Sequence, residues 1–302
     1  MSSSPASSKK GVLFLIIAAI TWGTSFLLVV STVDQLGFAI SLFFRVFFAF
    51  LSSLIVFFAI NIRILKTQFF YFKRGIVYLL TLLNVGGYLF QFLGAALTES
   101  AKLAILVNAN IILVPILSYL WLHESMNYRK VSGMVVGVLG FILVTTGGFF
   151  IVLVEGELAG NLISLGAGIF WAFYIVISRK VMAKQDSEYK PLNLSLTTTI
   201  LSFVFLIPLL FLYYNSFSSA IFLLTFPWWE LIYLGIICTT VAYTFFYFGV
   251  KTVSATNTTY ILLLETVVGV FLGIFFDNDV FTIFAAIGAG LVLVSIIIIN
   301  LS

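Results

Sequence analysis

Residues 11–22, GVLFLIIAAITW, return at 160–171 as GNLISLGAGIFW. Gly11, Leu13, Ala18, Ile20 and Trp22 stand in register with Gly160, Leu162, Ala167, Ile169 and Trp171, an offset of 149 residues. A second offset, 155, aligns Tyr88, Phe90, Gly94, Leu117 and Gly133 with Tyr243, Phe245, Gly249, Leu272 and Gly288. The later match is weak alone, because apolar helices share letters by chance. Its weight comes from setting Glu124, after the fourth apolar stretch, opposite Asp279, after the ninth. A chain that repeats halfway along its length consists of two related units, and their solvent decides what kind of units they are.

That solvent is lipid. Of 302 residues, 62% are hydrophobic and only 9% charged, against about a quarter charged in soluble domains. Runs of about 20 apolar residues, enough to cross a hydrocarbon core, recur from end to end. Ten spans are expected, near 11–30, 36–60, 75–97, 101–121, 130–153, 158–181, 192–213, 229–250, 255–276 and 280–300. The runs lack the alternation of an outer-membrane barrel, so helices, which satisfy their own backbone groups in lipid, are expected. The start, MSSSPASSKKGVLFLIIAAITW, imitates a signal peptide, but its apolar run is too long and no cleavage site precedes STVDQ, so an uncleaved first helix is expected. One cysteine, Cys238, excludes an internal disulfide and a cysteine metal cluster.

Lys and Arg fix the expected orientation. With a cytoplasmic N-terminus, the inner loops carry Lys9, Lys10, Arg63, Lys66, Lys73, Arg74, Arg129, Lys130, Arg179, Lys180, Lys184, Lys190 and Lys251, and the outer loops only Lys102. Most acids, Asp34, Glu99, Glu155, Glu157, Glu230, Asp277 and Asp279, fall outside. Both termini are then cytoplasmic, in a cytoplasmic (inner) membrane. The net charge of +4 reflects this topology and calls for no nucleic acid.

The expected fold is therefore all-α and polytopic: a cytoplasmic tail at 1–10, a five-helix repeat at 11–153 and a second at 154–302. Five is odd, so the second repeat enters the membrane in the opposite sense. Inverted repeats give a pseudo-two-fold axis in the membrane plane and a midplane site that can open to either side.

The motifs TWGTSF (21–26), FRVFFAFL (44–51), LSYLWLHES (117–125), SGMVVGVLGFILVTTGG (132–148) and LLLETVVGVFLG (262–273) resemble the drug/metabolite transporter superfamily, in its EamA-like ten-helix branch. The resemblance covers nearly the whole chain after the first ten residues. It implies a secondary transporter of small organic metabolites, often an exporter, with a central cavity made by the first, third, fourth, sixth, eighth and ninth helices. The family's usual proline after the Glu265 position and at its first-half equivalent is replaced by Thr266 and Ile111, with Pro115 a turn later. With those prolines absent, the pattern leaves open whether the helices break at the family's usual place. The family's Glu closing each repeat is kept as Glu124 and becomes Asp279.

Polar residues in lipid mark candidate sites, since a charge at mid-bilayer costs about 2.5–3.5 kcal/mol on insertion scales. Glu265 stands alone at mid-depth in TNTTYILLLETVVGVFLGIFF (256–276). It is either a proton-coupling or amine-pairing carboxylate or a buried group bonded to a neighbouring helix. Arg45 is read first as a structural arginine bonded to carbonyls or outer headgroups, with a charge pair to Glu265 as the other reading. Asn110 aligns with Glu265 and, with Asn108, serves either as helix glue or as a solute contact. Asn84, Tyr88 and Gln91 share one helix face, as do Tyr243 and Tyr247. Trp22 and Trp171 lie too deep for an interfacial belt and form either flat cavity walls or packing; Tyr174 follows Trp171. The glycines of GMVVGVLG (133–140) and Gly288 and Gly290 suit close helix contacts, within the scaffold or in a homodimer. His123 is read as local structure. There is no HExxH, G-x-S-x-G or phosphate-loop motif, so neither cofactor nor metal is expected.

The leading expectation is a carrier, not an enzyme, exporting small organic metabolites such as amino acids or related compounds by alternating access, its partners being the solute, the bilayer and protons. The alternatives are an intramembrane lipid-modifying enzyme, which would gather polar residues near one face, and a non-transporting scaffold.

Overall fold

The computed structural model describes residues 8–60, 70–97, 100–149, 158–183, 189–213, 227–276 and 282–301, and among these all regular structure is helical. Ten helical spans are long and apolar enough to cross a bilayer: Lys9–Leu36, Phe38–Ala59, Gly75–Ala95, Ile105–Leu122, Tyr128–Thr146, Leu158–Met182, Pro191–Leu209, Trp228–Val250, Ala255–Leu272 and Ile283–Asn300. The first runs six residues further than expected, to Leu36, and ends at Gly37, whose φ is 77° and whose N–H donates to Val33 O at 2.7 Å. The fifth stops seven residues early, at Gly147, whose φ of 58° is left-handed and ends a helix at little steric cost. Arg63, Lys66, Glu99, Glu155, Glu157, Lys184, Asp277 and Asp279 lie outside the described residues.

The neighbours of each span follow a rule. The fifth packs along the tenth, the fourth on the ninth and the second on the seventh. The third lies on the sixth as the eighth lies on the first; the fourth meets the sixth as the ninth meets the first. The second touches the eighth as the seventh touches the third. Exchanging the first five spans for the last five leaves this set unchanged.

Two reciprocal glycine pairs permit close crossings. A Cβ at Gly11 would lie 3.3 Å from Gly249 O, and one at Gly249 would lie 3.1 Å from Gly11 O. On the fifth and tenth spans a Cβ at Gly140 would meet Gly288 O at 2.8 Å, and one at Gly288 would meet Gly140 O at 2.7 Å. The glycines expected to serve either scaffold or dimer thus form an internal seam, except Gly290, which has nothing within 4 Å of its Cβ direction.

At the end of the bundle that carries Lys9, Lys130 and Arg179, the spans are tied by caps. Ala255 N and Thr256 N donate to the Glu124 carboxylate at 2.6 and 3.2 Å, and Thr256 Oγ1 donates at 2.8 Å. A carboxylate here satisfies orphan N–H groups and matches the positive helix end. Arg179 Nη1 donates to Val250 O and Lys251 O, both at 2.8 Å, closing the end of the eighth span. His123 turns the chain off the fourth span at φ 53°.

Candidate functional site

The fourth and ninth spans are both interrupted. The fourth consists of Ser100–Val107 and Asn110–Leu122, and the ninth of Ala255–Leu262 and Leu264–Phe276. The missing prolines leave breaks here open; the backbone breaks without them, through tight turns. Ile111 N donates to Asn108 O at 3.0 Å and Thr266 N to Leu263 O at 3.0 Å. In the fourth span the Asn110 Nδ2 group donates back to Val107 O at 3.3 Å, recovering a carbonyl that the break releases. Pro115 stays inside a continuous helix. Asn110 and Glu265 consequently both occupy the first turn of a half-helix, where the backbone dipole favours negative charge.

Between the halves lies a cavity of about 80 Å³. Ten of the sequence-chosen residues line it. The third span supplies Tyr88 and Gln91, the fourth Asn108 and Asn110, the sixth Trp171 and Tyr174; Trp22, Arg45, Tyr243 and Glu265 complete the set. Two do not reach it. Asn84 is buried behind the wall and accepts from Ser202 Oγ at 3.1 Å, and Tyr247 accepts from Tyr174 OH at 2.8 Å. The remaining lining residues, Ser25, Phe26, Val107, Ile175, Phe246 and Leu262, carry no mid-membrane charge or amide and were not legible by polarity.

Their repeat positions would have found them. At the offset of 149, Trp22, Ser25 and Phe26 correspond to Trp171, Tyr174 and Ile175. At 155, Tyr88, Gln91, Val107 and Asn110 correspond to Tyr243, Phe246, Leu262 and Glu265. Every lining residue except Arg45 and Asn108 has its counterpart in the lining.

The walls are aromatic. Tyr174 stacks on Phe246 at 5.7 Å and meets Tyr243 edge-on at 5.8 Å. Trp22 donates its Nε1–H to Cys238 O at 2.9 Å. That carbonyl belongs to a π-helical turn, Ile236–Val241, inside the eighth span; such turns displace backbone groups from the regular ladder and recur at functional sites. Arg45 leans on the same turn, donating from Nε to Thr239 Oγ1 at 3.1 Å and from Nη2 to Cys238 O at 3.4 Å. The Glu265 carboxylate is hydrogen-bonded by the Asn108 side chain. Arg45 and Glu265 share the cavity wall without pairing, so the charge pair is not formed in this conformation. Cys238 is buried and free, its Sγ directed to Thr21 O at 3.3 Å.

The sequence profile of the EamA-like transporter family matches this chain twice, over residues 9–146 and again over 158–301. The chain belongs to the EamA-like transporter family. Among relatives, a protein of Archaeoglobus fulgidus named as an uncharacterized transporter is 26% identical over 200 residues, 65% of this chain and 66% of its own length, just under two thirds. A second from the same organism is 25% identical over 224 residues, 74% of this chain and 76% of its own. A Bacillus subtilis protein, the uncharacterized transporter YvbV, is 33% identical over 78 residues, 25% of this chain and 24% of its own. One crystal structure matches with a TM-score of 0.76 over 96% of this chain and 97% of that chain at 16% identity, a likeness of fold alone. Membership and the ten apolar spans make this chain a multi-pass membrane protein of the EamA-like transporter family.

Proposed function

We propose that this EamA-like transporter is a secondary carrier that exports a small organic metabolite, such as an amino acid or a related compound, by alternating access. The observation that supports this best is the pairing of lining residues by repeat, as expected of a cavity on an axis relating residues 11–153 to 154–302. If the two halves exchange conformations, a site on that axis is exposed first to one side and then to the other. In the present conformation, a cavity of about 80 Å³ is smaller than the roughly 300–1,000 Å³ of a small-molecule site, so solute entry requires one half to open. Aromatic rings contact the solute's apolar body, while Gln91, Asn110 and the tyrosine hydroxyls bond its polar groups. Glu265 carries the coupling proton or meets an amine.

The charge distribution supports a cytoplasmic membrane with both termini inside, since the lysines and arginines gather at one end. The polar groups lie in a mid-depth cavity, which favours a carrier over a lipid-modifying enzyme working at one membrane face.

Counterflow tests the reading. Proteoliposomes preloaded with an unlabelled amino acid mixture should take up labelled amino acid faster than empty ones. Equal rates for loaded, empty and protein-free vesicles across amino acids and related amines and acids would refute it.

A further inference from the structure

We infer that Arg45 is the anion subsite of the cavity and receives the carboxylate of the solute. The assignment rests on the carrier reading above and adds to it the solute's charge chemistry and orientation.

Arg45 is only 2% exposed in the middle of the second span, too deep to place its head at a membrane surface. A guanidinium offers five N–H donors in a fixed fork. The contacts made use Nε and Nη2: Thr239 at 3.1 Å, Tyr88 OH at 3.4 Å and Cys238 O at 3.4 Å. The Tyr88 ring lies 4.7 Å from its Cζ, adding a cation–π contact. All of these partners are uncharged. Nη1 is buried and has no protein partner, although buried polar groups are nearly always satisfied by protein or by ordered water, so its N–H groups are open to a water or to a solute oxygen in the cavity. The one acid in the lining, Glu265, is held by Asn108 instead. Among the described residues, no acid therefore pairs with the Arg45 guanidinium.

The group is also held ready. Thr239 Oγ1, which accepts from Arg45 Nε, itself donates to Leu234 O at 2.9 Å. The Cys238 carbonyl is shared with Trp22 Nε1. This backing fixes one edge of the fork and leaves Nη1 to donate a charge-assisted hydrogen bond to a ligand carboxylate.

Repeat symmetry supplies an independent argument. The paired positions differ in chemistry, Asn110 answering to Glu265 and Gln91 to Phe246, so the lining is polar in an asymmetric way. Arg45 adds to this asymmetry, because among the described residues the lining contains none from the seventh span, its repeat equivalent. A carboxylate on Arg45 and an ammonium toward Glu265 give a zwitterion a single orientation.

The test is equilibrium binding to the full-length protein in lipid nanodiscs, using two triads of labelled probes. One is L-phenylalanine, 3-phenylpropionate and 2-phenylethylamine; the other is L-leucine, 4-methylpentanoate and isopentylamine. The wild type should bind the acid more tightly than the amine by about tenfold or more, the factor of one charge-assisted hydrogen bond. Arg45→Gln should abolish that preference and Arg45→Lys should keep part of it. The acid-to-amine ratio is read within one sample, so a smaller folded fraction does not alter it. If Arg45→Gln fails to fold, the wild-type ratio and Arg45→Lys decide the matter. An unchanged ratio in Arg45→Gln, or an amine preference in the wild type, overturns the assignment while leaving the carrier reading intact. Binding of none of the six probes overturns both.

Discussion

Trp22 meets Tyr243 edge-on with ring centroids 5.2 Å apart, and their repeat counterparts, Trp171 and Tyr88, repeat the contact at 5.3 Å. Each pair joins one half of the chain to the other. The two tryptophans differ in one respect, because Trp22 also donates to Cys238 O on the π-helical turn. Trp22→Phe should therefore lower the melting temperature in detergent more than Trp171→Phe, a loss of about 1 kcal/mol for one hydrogen bond. Equal shifts would show that the indole bond contributes nothing.

The Glu124 cap leads to a second prediction. Its carboxylate takes three donors from Ala255 and Thr256, so Glu124→Ala should destabilise the protein by about 0.5–2 kcal/mol, the usual effect of removing an N-cap. The readout is thermal unfolding, and an unchanged midpoint would remove the cap from the account.

Glycine packing gives a contrast within two spans. Gly140→Ala places a methyl 2.8 Å from Gly288 O and from Val292 N, backbone atoms that cannot rotate away. Gly290→Ala enters open space and gains helix propensity of up to about 1 kcal/mol. Gly140→Ala should therefore lower the yield of folded protein and its melting temperature, and Gly290→Ala should leave both unchanged or raised. The reverse order would contradict the crossing of the fifth and tenth spans.

The fold was largely legible because lipid imposes one strong rule, apolar helices of fixed length, and the matches from Gly11 with Gly160 to Gly133 with Gly288 exposed the duplication. The polar half of the cavity was legible for the same reason: Glu265, Asn110 and Gln91 stand out against hydrocarbon. Asn84 and Tyr247 show the limit of that signal, since a polar side chain in lipid must find some partner, and theirs are Ser202 behind the wall and Tyr174 within it. The π-helical turn at Ile236–Val241 left no mark, because it depends on backbone bonding rather than on any distinctive residue. The helix breaks were left open by the sequence because proline was taken as their cause, when tight turns at Asn108 and Leu263 suffice.

Those breaks can be tested directly. Position 266 is in the first turn of the half-helix Leu264–Phe276, where proline is tolerated, whereas mid-helix proline costs about 3 kcal/mol or more. Thr266→Pro gives up the Thr266 N to Leu263 O bond and should still fold, with a loss of about 1 kcal/mol for that bond, whereas Val270→Pro in the same half-helix should not fold. Similar failure of both would argue for a continuous ninth helix.

The central claim is that the cavity between the repeats opens to each side in turn, and thiol labelling from the two sides tests it most directly. Asn110→Cys would be introduced into a Cys238→Ser background, reconstituted in one orientation, and treated with a membrane-impermeant maleimide from either side, with and without the amino acid mixture. The account predicts reaction from both sides, slowed by bound solute. Labelling from neither side, or from one side only whatever the solute, would contradict it.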